Sequence, residues 1–323
     1  MLDEAAYFLL GNIKIYYYGL HIALGALAAV IVLALCCRAR RMPAGAAPLY
    51  AVLAMPLGVA CSRVLFCLLD GRFRGIFSLR AMLCFWGGGH SMVGALLGAA
   101  LAAVIAAKIL AVPARRMLDM MAPALLVFIA FARVGEQYTE MLGRSRALVS
   151  EVWRQGWLVT GDEYALYLKT YVLEALCALI LAVTLLPGLL HGKRDGDTLL
   201  SAMLLFGCTQ VLWESLRFDA HMRESFVSLQ MLLYAVMFAA ALLIFARRYA
   251  KRLGRGWPVW LALGVIALVA GGVIGLEFMI DRSGISRFLL YVPYVLLLAL
   301  PAVCGFVFKK RSNYHDQGTG GAH

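Results

Sequence analysis

Apolar residues run through this chain in blocks close to twenty long, broken by short polar or basic joints. Nine blocks stand out, at about 13–36, 45–69, 86–110, 117–134, 172–190, 198–216, 227–246, 257–280 and 288–308. A helix of roughly 20 residues spans the roughly 30 Å of hydrocarbon in a bilayer. Inside hydrocarbon every backbone N–H and C=O must be satisfied within the segment, so each block is predicted to be a helix. The expected fold is an all-α polytopic membrane protein.

The joints give a direction. Arg38, Arg40 and Arg41 follow the first block, Arg115 and Arg116 the third, and Lys193 and Arg194 the fifth. Arg247, Arg248, Lys251, Arg252 and Arg255 follow the seventh, and Lys309, Lys310 and Arg311 the ninth. All fall on one side, which the positive-inside rule makes cytoplasmic. The N-terminus is then outside and the C-terminus inside. Arg72, Arg74 and Arg80 run against the rule but are outnumbered. Composition fits this picture: of 323 residues, 63% are hydrophobic, and the formal charge of +12 sits mainly in the inner joints. With no basic soluble domain in view, that charge reads as orientation and lipid attraction rather than nucleic-acid binding. Met1–Gly11 carries Asp3 and Glu4 where a signal peptide would be basic, so the first span is expected to be retained.

The longest outer segment, about 135–171, mixes charges with Trp153, Trp157, Tyr164, Tyr167 and Tyr171; it reads as an outer cap or as an ordinary ordered loop. A strongly basic joint at 247–256 precedes the last two spans, so 1–250 is expected to be a core, 251–311 an added hairpin and 312–323 a disordered tail. Gly271 and Gly275 have the spacing of close helix approach. The eight cysteines lie in apolar blocks, none in a CxxC pair, and read as small apolar fillers rather than metal ligands or disulfides.

Three charges inside the blocks point to chemistry: Arg63, Arg133 and Glu214. A charge at bilayer depth costs about 2.5–3.5 kcal/mol on insertion scales, so it stays where it meets protein, a partner or a polar ligand. Arg133, Glu136, Glu140 and Arg144 carry charge through residues 132–144, where Gly135 and Gly143 allow a close approach or a turn. Arg133 offers a forked donor to a phosphate; snorkelling to the interface is the bland alternative. His90 follows three glycines at the outer start of the third span, as a base beside loose backbone or as an interfacial side chain. Gln210, Glu214 and Arg217 fall at i, i+4 and i+7, and Glu214 needs a partner for which Arg133 and Arg63 are the natural candidates. An internal ion pair without a catalytic role is the other reading. Tyr16, Tyr17 and Tyr18 open the first span, as an aromatic belt would. Arg63 is too deep to snorkel easily and has no acid nearby in sequence.

Taken in order, these segments resemble the bacterial prolipoprotein diacylglyceryl transferase family. Tyr17-Tyr18-Gly19-Leu20 is similar to its opening of the first span, and Ser62-Arg63-Val64-Leu65-Phe66 to its Gly-Arg element. Residues 86–98 resemble its glycine-rich histidine segment, 132–144 its signature, 206–219 its Arg-x-x-x-Glu-x-x-Arg helix, and Ser228-Leu229-Gln230-Met231 the start of its last core span. The likeness covers roughly 10–250. It implies a seven-span transferase-like core, here with a C-terminal two-span hairpin added. It also implies an enzyme of the bacterial cytoplasmic membrane, without a cofactor or a metal. That enzyme moves a diacylglyceryl group from phosphatidylglycerol to the thiol of a lipobox cysteine in a secreted prolipoprotein.

Carried over residue by residue, the resemblance makes His90, Glu140, Glu214 and Arg133 the catalytic candidates. Tyr18, Arg63, Arg133, Glu136, Gly143, Gln210 and Arg217 become substrate-binding candidates. The chain departs from the pattern in places. The family histidine falls on Val93, leaving His90 as its substitute; Glu136 stands for an asparagine, Gln210 for an arginine, and Phe206 for a tyrosine. Two alternatives stay open: a divergent paralogue acting on another lipid or acceptor, and a non-catalytic phospholipid-binding or transport protein.

Overall fold

A computed structural model describes residues 6–69, 79–85, 89–139, 145–146, 154–161, 166–192, 194–217, 223–224, 227–284 and 286–313. Among these, nine helices are long and apolar enough to cross a membrane, one for each predicted block. They are α1 (Tyr17–Ala39), α2 (Ala46–Leu69), α4 (Met92–Ile109), α5 (Ala114–Gly135), α6 (Thr170–His191), α7 (Asp197–Leu216), α8 (Leu229–Leu253), α9 (Trp257–Arg282) and α10 (Arg287–Asn313). A short helix, α3 (Leu79–Leu83), precedes α4.

Where helix ends differ from expectation, local chemistry explains the shift. The first span starts at Tyr17 because Tyr7–Leu10 (β1) and Ile13–Tyr16 (β2) form an antiparallel hairpin. Gly11, at φ 62°, supplies its tight turn. The third starts at Met92, where the Ser91 hydroxyl accepts the Gly94 N–H at 3.3 Å as an N-cap. The described part of the outer segment holds a second hairpin, Val159–Gly161 (β3) with Leu166–Leu168 (β4).

The chain forms two units. The first, residues 1–199 and 216–222, holds α1 to α6. In it α2 packs along α4, α1 along α5, and α5 against α6. Small residues make these approaches close: Ala99, Ala102, Ala103, Ala106 and Ala107 are buried on α4, and a Cβ added at Gly98 would overlap the Leu57 backbone of α2. In a bilayer such fits, rather than hydrophobicity, hold helices together. Asp119 of α5 accepts N–H groups of Gly196 and Leu199 at 2.6 and 2.7 Å, a carboxylate at the positive end of α7.

The second unit, residues 200–215 and 223–323, packs α8, α9 and α10 against one another around Tyr234, Phe245, Tyr294 and Phe308. Gly271 and Gly275, expected to seat a neighbouring helix, face open space among the described residues. Gly272 is the one whose Cβ would overlap the Leu297 side chain.

Candidate functional site

The last turn of α5 carries Arg133, and a 3₁₀ turn, Glu136–Tyr138, brings Glu136 back beneath it. The first turns of α6 supply Glu174. Arg217 follows the end of α7 and pairs its backbone with Ser145 in an isolated antiparallel bridge. It therefore lies beyond the helix on which the i, i+4, i+7 spacing had placed it. The Ser145 hydroxyl in turn accepts the Leu168 N–H at 2.7 Å, so the β3–β4 hairpin helps hold this position.

These four side chains close into a ring. Arg133 meets Glu136 at 2.5 Å and Glu174 at 2.7 Å. Arg217 meets Glu136 at 3.2 Å and Glu174 at 3.1 Å. Each guanidinium reaches both carboxylates, and all four residues are buried. Desolvating four ions is costly, and only this close mutual pairing offsets it. Arg133 is thus turned inward, not snorkelled to the interface. Tyr18 lies within electrostatic reach of Glu136, Arg133 and Arg217, and its ring sits 3.2 Å from where a Gly135 Cβ would be. A Cβ at the same glycine would lie 2.9 Å from that of His21, which packs its ring 5.2 Å from that of Tyr138 and bonds the Tyr17 carbonyl through Nδ1.

A second group forms around Arg63. Buried in α2, it donates from Nη1 to the Gly89 carbonyl at 3.0 Å and lies 5.8 Å from the Phe66 ring centre. Gly89 has φ 78°, and a Cβ there would overlap the Phe66 ring, so only glycine fits. The Ser91 N–H donates to the Ser62 carbonyl at 3.1 Å and fastens the same stretch to α2. Arg63, lacking an acid nearby in sequence, anchors a carbonyl. His90 is exposed, with Nε2 3.3 Å from the Phe85 carbonyl. Partial loss of hydration, with the positive charge of Arg63, holds its pKa below the ordinary 6.5, against the opposing pull of the Phe85 carbonyl. Val93, which the resemblance sets against a family histidine, is buried on α4.

In the second unit, Gln210 is buried on α7 and Glu214 accepts a hydrogen bond from the Ser228 hydroxyl at 3.4 Å. Ser215 and Tyr291 join hydroxyls at 3.2 Å, and the Tyr294 hydroxyl donates to Glu277 at 3.1 Å. Glu140 and Gly143, with Arg144, lie outside the described residues. The structure thus brings together Arg133, Glu136 and Arg217 beside Tyr18, and places Arg63 close to His90. Sequence reasoning missed Glu174 and His21. Glu174 carried the same signal as Arg63, a lone charge inside an apolar span.

Nine membrane-length helices among the described residues, with buried arginine–carboxylate pairs in the first unit, define a multi-pass membrane protein. The family model for prolipoprotein diacylglyceryl transferase matches residues 5–247, and the chain belongs to that family. A phosphatidylglycerol–prolipoprotein diacylglyceryl transferase of Limosilactobacillus reuteri (strain DSM 20016) is 23% identical over 253 residues, covering 75% of this chain and 90% of that protein. Its namesake from Listeria innocua is 24% identical over 244 residues, covering 74% and 88%. Helices α9 and α10 lie beyond the matched residues.

Proposed function

We propose that this protein transfers the diacylglyceryl group of phosphatidylglycerol to the thiol of a lipobox cysteine in a secreted prolipoprotein. The observation that carries the reading is the buried Arg133–Glu136–Arg217–Glu174 ring, in a chain that belongs to this family. The reaction is a displacement at carbon. The substrate sulfur forms a bond to the glyceryl carbon, the carbon–oxygen bond to phosphate breaks, and glycerol phosphate leaves. The thiol proton goes to a base. Charge grows on the departing phosphate, and preorganised guanidinium groups stabilise that charge better than mobile water does. In the ring both arginines are held by carboxylates. An arriving phosphate diester takes the place of one carboxylate, so Arg133 and Arg217 are oriented before the lipid enters. Tyr18 flanks the ring, and Arg63 fixes the Gly89 stretch that presents His90 as the base.

On this reading the protein sits in a bacterial cytoplasmic membrane, N-terminus outside and C-terminus in the cytoplasm, with the ring in the outer half. The basic joints on one side support that orientation. Residues 1–250 are the working core, and the cap at about 135–171 braces Arg217. Glu140, Gly143, Gln210 and Glu214 keep the roles that their motif positions imply. The test is complementation of a strain depleted of its own transferase, with lipobox-peptide lipidation followed in membranes carrying this chain. Restored lipidation supports the assignment; none, with the protein present and folded, ends it.

Val93 in place of the family histidine favours one second reading, the same fold acting on another lipid or acceptor. It predicts phospholipid turnover without thiol modification.

A further inference from the structure

At the end of the first unit away from Arg133, a concavity of about 400 Å³ opens among Arg40, Arg41, Arg116, Leu190, Gly192 and Asp195. Arg116 and Arg133 both belong to α5, and at 1.5 Å per residue they stand about 25 Å apart. This is not the ring site seen from another side. Three guanidinium groups line the concavity against one carboxylate.

The arginines are arranged. Asp195 accepts from Arg40 at 3.2 Å and pairs with Nε of Arg116 at 3.3 Å. Arg40 also donates to the Gly192 carbonyl at 3.0 Å, which ties the end of α1 to the end of α6. Because Asp195 takes the Nε side of Arg116, its two terminal nitrogens remain, among the described residues, for another acceptor. Arg41 is exposed, and among the described residues no carboxylate pairs with it. Its backbone sits at φ 52°, the left-handed position after a helix where glycine is usual. The Met42 N–H to Cys37 carbonyl bond at 2.8 Å closes that turn. A long cation thus occupies a position that disfavours a side chain, at the rim of a cavity with excess positive charge. Leu190, 44% exposed, makes one wall apolar where the helices meet hydrocarbon.

We propose that this concavity binds the phosphate of an anionic glycerophospholipid from the leaflet at this end of the helices, separate from any substrate lipid at the ring. Arg41 and Arg116 grip the phosphate, Arg40 and Asp195 hold the frame, and acyl chains descend past Leu190. Basic pockets between helices at a membrane face suit such headgroups. A free phosphate has the same anionic chemistry, but the apolar wall favours the lipid.

The test uses the full chain purified in detergent with phosphatidylglycerol or phosphatidylcholine, its bound lipid counted by native mass spectrometry. Arg41→Gly removes the cation and eases the backbone, so folding is retained; Arg41→Gly with Arg116→Gln removes the grip. Wild type is expected to hold one more phosphatidylglycerol than the double variant, with Arg41→Gly holding it less firmly. Phosphatidylcholine is not expected to replace it, nor inorganic phosphate to release it. Equal phosphatidylglycerol in wild type and variants overturns the site. Retention of phosphatidylcholine in its place overturns the charge argument, and release by inorganic phosphate overturns the lipid source. If the double variant does not fold, by thermal unfolding, the comparison of Arg41→Gly with wild type decides. Arg133→Ala keeps this lipid even where it abolishes turnover, which separates the inference from the proposed reaction.

Discussion

Glu174 and Arg217 lie 43 residues apart in the chain and meet at 3.1 Å, closing a ring in which two arginines share two carboxylates. Removing one member leaves buried charge in excess. Glu174→Ala is therefore expected to destabilise the first unit by about 3–5 kcal/mol, the usual result of breaking a buried ion pair. Thermal unfolding in detergent reads this. An unchanged midpoint would mean that the ring contributes nothing to stability.

Arg133→Lys separates charge from shape. A lysine keeps the positive charge but offers a single point where the guanidinium meets Glu136 and Glu174 together. Losing a charge-assisted hydrogen bond to a phosphate costs about 1.5–3 kcal/mol, so turnover should fall roughly 10- to 150-fold. Steady-state lipidation of a lipobox peptide, with folding checked in parallel, measures it. Full activity would remove Arg133 from phosphate binding.

The role of His90 as base is open to a pH test. The pKa of His90 is held below 6.5, so folded protein binds this proton less readily than unfolded chain does. Its contribution to stability is therefore complete above 6.5 and is lost as pH falls through the lower folded value. If His90 takes the thiol proton, the rate falls on the same acidic side, and His90→Gln lowers activity and removes that limb. A profile that His90→Gln leaves intact removes His90 from that role. Rate–pH profiles of wild type and His90→Gln decide it.

The sequence pattern was enough for the nine spans, because twenty-residue apolar blocks admit little besides helices in a bilayer. It also singled out Arg133, whose charge interrupts an apolar segment, and drew attention to Glu136 and Arg217 as charges just past the ends of two such segments. It could not pair them. Arg133 meets Glu136 through a local turn, but its second partner, Glu174, comes from another helix, and such a meeting is a matter of packing. Arg63 reads in sequence as a deep charge with no acid nearby, and in the fold it holds the Gly89 carbonyl. The residues that make that arrangement, Gly89 at positive φ and Phe66 beneath it, carry no distinctive signal. Gly271 and Gly275 show the converse: the spacing is right, but the helix face is turned away from any described neighbour.

Helix approach gives a further test. A Cβ at Gly98 would run into the Leu57 backbone, which cannot swing aside as a side chain does. Gly98→Ala is expected to push α2 from α4 and cost about 1–3 kcal/mol, as overpacking does. Because α2 carries Arg63, activity should drop with stability. Gly271→Ala on α9, with open space at its Cβ, is the control and should leave unfolding unchanged.

The last two helices lie beyond the family match, yet polar bonds tie them into the second unit. The Tyr291 hydroxyl donates to the Ser215 carbonyl at 3.1 Å, next to Glu214 in the chain, and the Tyr294 hydroxyl donates to the fully buried Glu277 at 3.1 Å. A carboxylate in that position is under-satisfied once a donor is removed, and leaving such a group short costs about 1–3 kcal/mol. Tyr294→Phe is expected to lower the unfolding midpoint, and Tyr294→Phe with Glu277→Leu to recover part of it, since replacing both polar partners is milder than removing one. Tyr291→Phe changes the end of α7 without stranding a charge. It should act more on turnover than on unfolding, through the position of Glu214. A chain ending at residue 254 removes Tyr294 and Glu277 together and takes Tyr291 from Ser215; if it folds and works like the full protein, the hairpin is a dispensable attachment and this network has no part in the site.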